Sequence, residues 1–307
     1  MQVDDYTATI EAVAGATELE RHRVIMSKAM EQLDTDSRVL GVWLAGSFGR
    51  GTPKRYSDVD LCLLAEESYF ADFFSQRHAL ALSLGNTLIR YNQTYSWIAP
   101  GQPSLVCLYD DLLRVTLFYF APSNLMPSPH FYHITILLDR EGYVAGLQRS
   151  SQDHYPSDNS RMEISILSPR FWIGIQIVLD LVRSGHFWAA ADTLAMLRHN
   201  LMYAFRVLRQ DPRRHIWRGY PKGLEQLLDS DYERRFRETI AMPERKDVLR
   251  ATRVMVSLFV SLRREADAAT VKLAEKAIVA CLNGMLVEEG IEPYELTGHR
   301  MSESVST

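Results

Sequence analysis

An α/β domain with a mixed sheet, followed by a bundle built only of helices, is the architecture this 307-residue sequence predicts. Three observations carry it. The N-terminal half interleaves helical periodicity with short apolar runs of strand type. A polar, turn-rich stretch at 151–161, SQDHYPSDNSR, interrupts that pattern. Beyond it only the helical period remains. The expected boundary falls at residue 158, with 1–158 as the α/β domain and 159–307 as the helical one.

Glu18–Leu33 reads as an amphipathic helix, because Ile25, Met26, Met30 and Leu33 recur at helical spacing between charges. Val39–Ala45 is an apolar run expected to be a buried strand. A turn bearing Gly46, Gly49 and Gly51 follows, then a second strand over Val59–Ala65. Phe70–Tyr91 carries a long helical pattern through Phe73, Phe74, Leu80, Leu82, Leu84 and Leu88. Ser104–Tyr109 and Leu113–Phe120, separated by Asp110-Asp111, read as a hairpin. Ile134–Leu138 adds a strand closed by the turn Asp139-Arg140-Glu141-Gly142. In the second half, Ser168-Pro169 predicts a cap and a first-turn proline for a helix over Phe171–Arg183, ended by Ser184-Gly185. Helical patterns continue over His186–Leu208, Lys222–Leu228, Asp231–Thr239, Lys246–Arg263 and Ala269–Glu288, before a polar tail from Glu295 to Thr307.

The bulk chemistry narrows the function classes. A composition 47% hydrophobic and 23% charged is that of an ordinary soluble globular chain. A formal net charge of -4 argues against a nucleic-acid partner and favours a small substrate. Cys62, Cys107 and Cys281 are scattered without metal-ligand spacing, so each is expected as a small core residue in a reducing, cytoplasmic setting. The acidic N-terminus does not read as a signal peptide, and no stretch reads as a membrane span. The oligomeric state is left open.

The segment Leu44–Leu64, LAGSFGRGTPKRYSDVDLCLL, carries the chemistry. Glycines let the backbone turn sharply and admit a ligand closely. Ser47 offers a hydroxyl to a phosphate oxygen, and N–H groups at such a turn favour anions. Asp58 and Asp60 lie two apart on a strand and so share one face. Like charges placed together call for a cation between them, and Mg²⁺ suits two carboxylates completed by phosphate and water.

This arrangement resembles the nucleotidyltransferase superfamily typified by DNA polymerase β, whose pattern is G-S, further glycine, then D-x-D on the next strand. Here it stands as Gly46-Ser47, Phe48-Gly49-Arg50-Gly51 and Asp58-Val59-Asp60. The order of elements matches that superfamily's palm. The chain is similar, more specifically, to the aminoglycoside 6-adenylyltransferases that modify streptomycin. The pieces that carry this likeness are LRVTLFYFAP at Leu113–Pro122, ITILLDREG at Ile134–Gly142, Phe171-Trp172, and Trp217 to Lys222. The resemblance implies transfer of AMP from ATP to a hydroxyl of a small acceptor, with release of pyrophosphate. It implies catalytic, metal-binding roles for Asp58 and Asp60, and nucleotide binding by Gly46, Ser47, Arg50 and Ser57. Mg²⁺ is the implied cofactor, and the second domain of such enzymes commonly holds the acceptor.

One position departs from the family pattern. A third carboxylate is expected on the strand that here reads Arg114-Val115-Thr116-Leu117-Phe118, and Thr116 stands in its place. Threonine cannot accept a proton as a base at neutral pH. Three readings stay open: Asp110 or Asp111 approaches the site, Asp139 or Glu66 takes over, or the chain binds nucleotide without efficient transfer. That last reading corresponds to an antitoxin-like interaction protein with a degenerate palm.

Other residues have blander alternatives. Lys54 and Arg55 either neutralise phosphate or line a solvated loop. Ser57 either orients a metal ligand or forms the turn. Asp180, Arg183, Asp192 and His199, with Trp172, Trp188 and Tyr203, either build an acceptor pocket or are surface pairs and core aromatics. His130 and His133 match no zinc pattern. The Arg213-Arg214-His215 cluster is expected as a solvated basic turn.

Overall fold

The computed structural model describes residues 6–95, 101–154, 160–211, 214, 221–268 and 272–295, which fall into two compact units, Met1–Pro156 and Ser157–Thr307. The fold class is the expected one: a mixed sheet with flanking helices, then helices alone.

In the first unit the order is α1 (Tyr6–Ala14), α2 (Glu20–Leu33), β1 (Val39–Leu44), α3 (Gly46–Gly49), β2 (Val59–Ala65), α4 (Phe70–Ser75), α5 (Arg77–Leu84), β3 (Thr87–Tyr95), β4 (Gln102–Tyr109), β5 (Arg114–Phe120), β6 (Thr135–Asp139) and α6 (Tyr143–His154). The six strands form one sheet ordered β3-β4-β5-β2-β1-β6. Only β2 and β5 run parallel, with Val59 beside Val115 and Asp60 beside Thr116. The other neighbours are antiparallel, including the expected β4–β5 hairpin.

Strand alternation divides the core. Val59, Leu61, Leu63, Val115, Leu117 and Tyr119 point to the face covered by α1, α2, α4 and α5. Cys62, Leu64, Phe118 and Phe120 point to the other, where Trp43, Phe131 and Val144 pack on them. On that second face the apolar row gives way, at the start of β2 and β5, to Asp58, Asp60, Arg114 and Thr116.

The long helix expected over Phe70–Tyr91 is instead two short helices and edge strand β3. Leu80, Leu84 and Leu88 keep helical spacing across the break, which misleads a periodicity reading. Pairing with β4 from Thr87 onward overrides it. Leu88 and Ile89 are exposed on this edge. Helices α1 and α6 were not expected from the sequence.

The second unit contains α7 (Ser160–Arg183), α8 (Phe187–Leu208), α9 (Ser230–Glu238), α10 (Arg245–Glu265) and α11 (Lys272–Glu288). Ser168-Pro169 does not open a helix, because α7 begins at Ser160 and carries Pro169 in its interior. The Ser168 hydroxyl is buried and caps nothing. The expected helix over Lys222–Leu228 is a single 3₁₀ turn, Leu224–Gln226. Asp229 caps α9 by accepting the Tyr232 N–H at 2.9 Å. The residues 155–159, 212–213, 215–220, 269–271 and 296–307, which include Arg213, His215, Trp217 and most of the expected tail, lie outside those described.

The length and composition of Glu163–Arg183 do meet those of a membrane-crossing helix, contrary to the expectation. Its Ile164, Phe171, Trp172, Ile175, Val178 and Leu179 are buried in the helical core, however, and core helices pass the same test. Phe171 stacks on Phe259 of α10 with ring centroids 3.9 Å apart, and Trp172 meets both rings edge-on. Two buried ion pairs fix helix ends: Arg206 in the last turn of α8 holds Asp211 just beyond it, and Arg263 near the end of α10 holds Glu275 in the first turn of α11. Arg214, expected in a solvated turn, is buried with Glu163 3.8 Å away.

Phe259→Ala is expected to destabilise the helical unit by about 3–5 kcal/mol, through lost burial and the cavity left behind. Urea unfolding followed by tryptophan fluorescence measures it.

Candidate active site

The turn after β1 is fixed by close backbone contacts. Ala45 donates its N–H to the Asp60 carbonyl at 2.9 Å, which joins the start of the turn to β2. Gly46 has φ +62, and a Cβ there would lie 2.3 Å from Asp60 Oδ2. The absence of a side chain thus lets the Asp60 carboxylate rest against the backbone. Gly49 is wedged between the carbonyls of Leu44 and His133, which a Cβ would meet at 2.6 and 2.8 Å. Phe48 is buried, and its carbonyl accepts from Thr135 Oγ1 at 3.1 Å. The Ser47 hydroxyl is buried without a protein partner.

Asp58 stands just before β2, with its side chain 19% exposed, and is ion-paired with Arg114, whose side chain is 59% exposed. Both strands place these groups on one face, with Asp60 and Thr116 next in line. Thr116 is buried. Burial pushes the Cys62 thiol well above its ordinary range, and the nearby Asp60 charge adds to the shift.

Each carboxylate named as a substitute for a third acid accepts a hydrogen bond in its own surroundings. Asp139 caps α6, accepting from the N–H groups of Val144 (3.2 Å) and Ala145 (2.9 Å). Glu66 lies beyond the far end of β2 and accepts from Ser68. Asp110 accepts from Asn86, and Asp111 from the Leu113 N–H. Among the described residues no cluster of three or more His, Cys, Asp or Glu side chains is placed to hold a metal ion.

Ser57 closes its own turn: its hydroxyl accepts the Lys54 N–H at 2.9 Å. Arg50 ends α3 and lies near His133, whose pKa is lowered from its ordinary value by burial and, to a lesser extent, by the Arg50 charge. Arg55 stacks over the exposed ring of Tyr56.

Two residues of α2, not singled out from the sequence, hold this assembly from below. His22 is fully buried, tilts against Phe48 at 5.3 Å, and joins its Nε2 to the Ser57 carbonyl at 2.9 Å. Arg21 donates to the carbonyls of Arg55 (2.8 Å) and Asp111 (3.0 Å), linking the motif loop to the β4–β5 turn. His22 falls on the same helical stripe as Ile25, Met26 and Met30, so its signal was a histidine on an apolar face.

In the helical unit Trp172 belongs to the core, whereas Trp188 is exposed. Tyr203 donates to Glu163. Asp180 pairs with Arg183 at 3.5 Å on the surface, and Asp192 and His199 are exposed. The structure does not gather these groups into one described pocket.

The family model described as streptomycin adenylyltransferase matches residues 17–275. The chain belongs to that family. Adenylyltransferase family membership supports nucleotidyl transfer as the general chemistry. The chain is also similar to the crystal structure of an aminoglycoside 6-adenyltransferase from Bacillus subtilis. There the identity is 11% and the TM-score 0.38, over 88% of this chain and 98% of that one. A nucleotidyltransferase-like protein from Exiguobacterium sibiricum 255-15 aligns at 12% identity and TM-score 0.39, over 87% and 91%. No curated protein matches the sequence significantly.

Two outcomes follow from the geometry of this family member. Gly46→Ala is expected to cost about 1–3 kcal/mol, because the alanine meets both an unfavourable φ and the Asp60 carboxylate; thermal melting measures it. Burial holds His22 below its ordinary value, so the unfolded chain binds its proton first. Stability from this group is therefore present above about pH 6.5 and lost as pH falls below it. Melting curves from pH 7.5 to 5 are expected to show a shallower decline for His22→Gln than for the native chain.

Proposed function

We propose that the chain transfers AMP from ATP to a hydroxyl of a small acceptor of aminoglycoside type, at the end of the sheet where β2 and β5 begin. Family membership supports the reaction class. The single observation that carries the site is a buried, unpartnered serine hydroxyl, Ser47, on a turn whose glycine is pressed against one carboxylate of an alternating pair. A buried hydroxyl without a partner is costly unless a ligand completes it.

The donor set fits a hard divalent ion: Asp58 and Asp60 supply carboxylate oxygens, and a triphosphate and water complete the shell. Such an ion, when bound, screens the phosphates and polarises the α-phosphate. Ser47 donates to a phosphate oxygen, and Gly46 lets the chain approach closely. Arg50 adds positive charge along the leaving pyrophosphate. Ser57, whose hydroxyl receives the Lys54 N–H, fixes the turn that presents Asp58. Catalysis of this kind rests on positioning and charge neutralisation. The helical domain, 159–307, is assigned to the acceptor, and a reducing, cytoplasmic setting fits the three free thiols.

A second reading has a specific observation in its favour. Thr116 is buried beside Asp60, where the family pattern expects an acid. In this reading the protein binds nucleotide and partners another molecule without efficient transfer.

Calorimetry decides the metal role. Asp58→Asn with Asp60→Asn is expected to abolish Mg²⁺-dependent ATP binding, and unchanged binding would rule the role out. Labelled ATP with a panel of hydroxyl-bearing acceptors then separates the two readings: transfer gives labelled small molecules. A gain of transfer in Thr116→Asp over an inactive native chain supports the degenerate palm.

A further inference from the structure

The alternating carboxylates raise an electrostatic question that Thr116 sharpens. Asp58, Asp60 and Arg114 sum to one negative charge, and Thr116 adds none. A divalent ion meets little attraction from so weak a field, and a guanidinium beside the same carboxylate repels it. The two partners are unequally exposed. Asp58 is mostly enclosed, while Arg114 lies on the first residue of β5 with most of its side chain in solvent. Its planar fork suits phosphate as well as carboxylate.

We infer that Arg114 is a resident counter-ion on Asp58, which transfers to the phosphates when a nucleoside triphosphate enters, so that divalent-ion and nucleotide binding are coupled. The inference rests on the metal role proposed above for Asp58 and Asp60. Arg114 stabilises the two acids while nucleotide is absent. On arrival of the triphosphate, the guanidinium exchanges one anionic partner for another and uncovers Asp58. By linkage, each ligand then raises the affinity of the other by the same factor.

The test uses Mn²⁺ as a paramagnetic probe of the full chain, with and without a non-hydrolysable ATP analogue, read by electron paramagnetic resonance. In the native protein the analogue is expected to tighten Mn²⁺ binding by about tenfold or more. Arg114→Gln is expected to tighten Mn²⁺ alone by about fivefold. The same variant is expected to weaken the analogue by about tenfold, which shrinks the coupling. Arg114→Lys, keeping charge without the fork, is expected to fall between, and thermal melting confirms that both variants fold. Unchanged or weaker Mn²⁺ binding by Arg114→Gln, alongside normal Mn²⁺ binding by the native chain, overturns the inference and leaves the metal role standing. Absence of Mn²⁺ binding by the native chain under either condition overturns both.

Discussion

Val59 to Leu64 of β2 lie beside Val115 to Phe120 of β5, and the two strands run the same way. Parallel pairing puts both strand beginnings at one end of the sheet. Strand alternation then puts the side chains of Asp58 and Asp60 on the same face as those of Arg114 and Thr116. The face they share is otherwise apolar, filled by Cys62, Leu64, Phe118 and Phe120. Four polar positions at its edge are therefore set by the same ladder that packs the core. A slip of one residue would turn the carboxylates to the opposite face and the core residues outward, so the hydrophobic pattern itself protects the site's geometry.

The turn over that edge is held by its surroundings more than by its own sequence. Gly49 fits between two backbone carbonyls, and Gly46 lies against Asp60. From beneath, α2 contributes His22 to the Ser57 carbonyl and Arg21 to two loops that are distant in sequence. These bonds join the motif loop, the β4–β5 turn and a helix into one support. The Ser47 hydroxyl in the same turn is buried, and the protein gives it no hydrogen-bond partner. That unused hydroxyl, on a turn braced by its neighbours, is the feature on which the proposed phosphate site rests.

The helical unit follows different physics. Phe171 stacked on Phe259, with Trp172 edge-on to both, forms an aromatic centre, and two buried ion pairs close the helix ends. Trp172, a possible pocket wall by sequence, is spent on that core. Exposed aromatic surface remains at Trp188. Aromatic residues at helical spacing serve packing first, and their type alone does not separate packing from recognition.

The local sequence determined the motif strands, the glycine turn between them and the alternation of Asp58 with Asp60, because strand period and glycine freedom are short-range properties. It also determined the fold class, through the switch from mixed periodicity to helices alone. The local pattern also misled: Leu88 of β3 continues the helical spacing of Leu80 and Leu84 in α5, although β3 pairs with β4, and Pro169 sits inside α7 instead of opening it. Tertiary structure alone decided that β5 runs parallel to β2, that Arg114 meets Asp58, and that His22 and Arg21 brace the loops. Each of these joins residues tens of positions apart, and no local periodicity encodes which distant strand supplies a charge's partner.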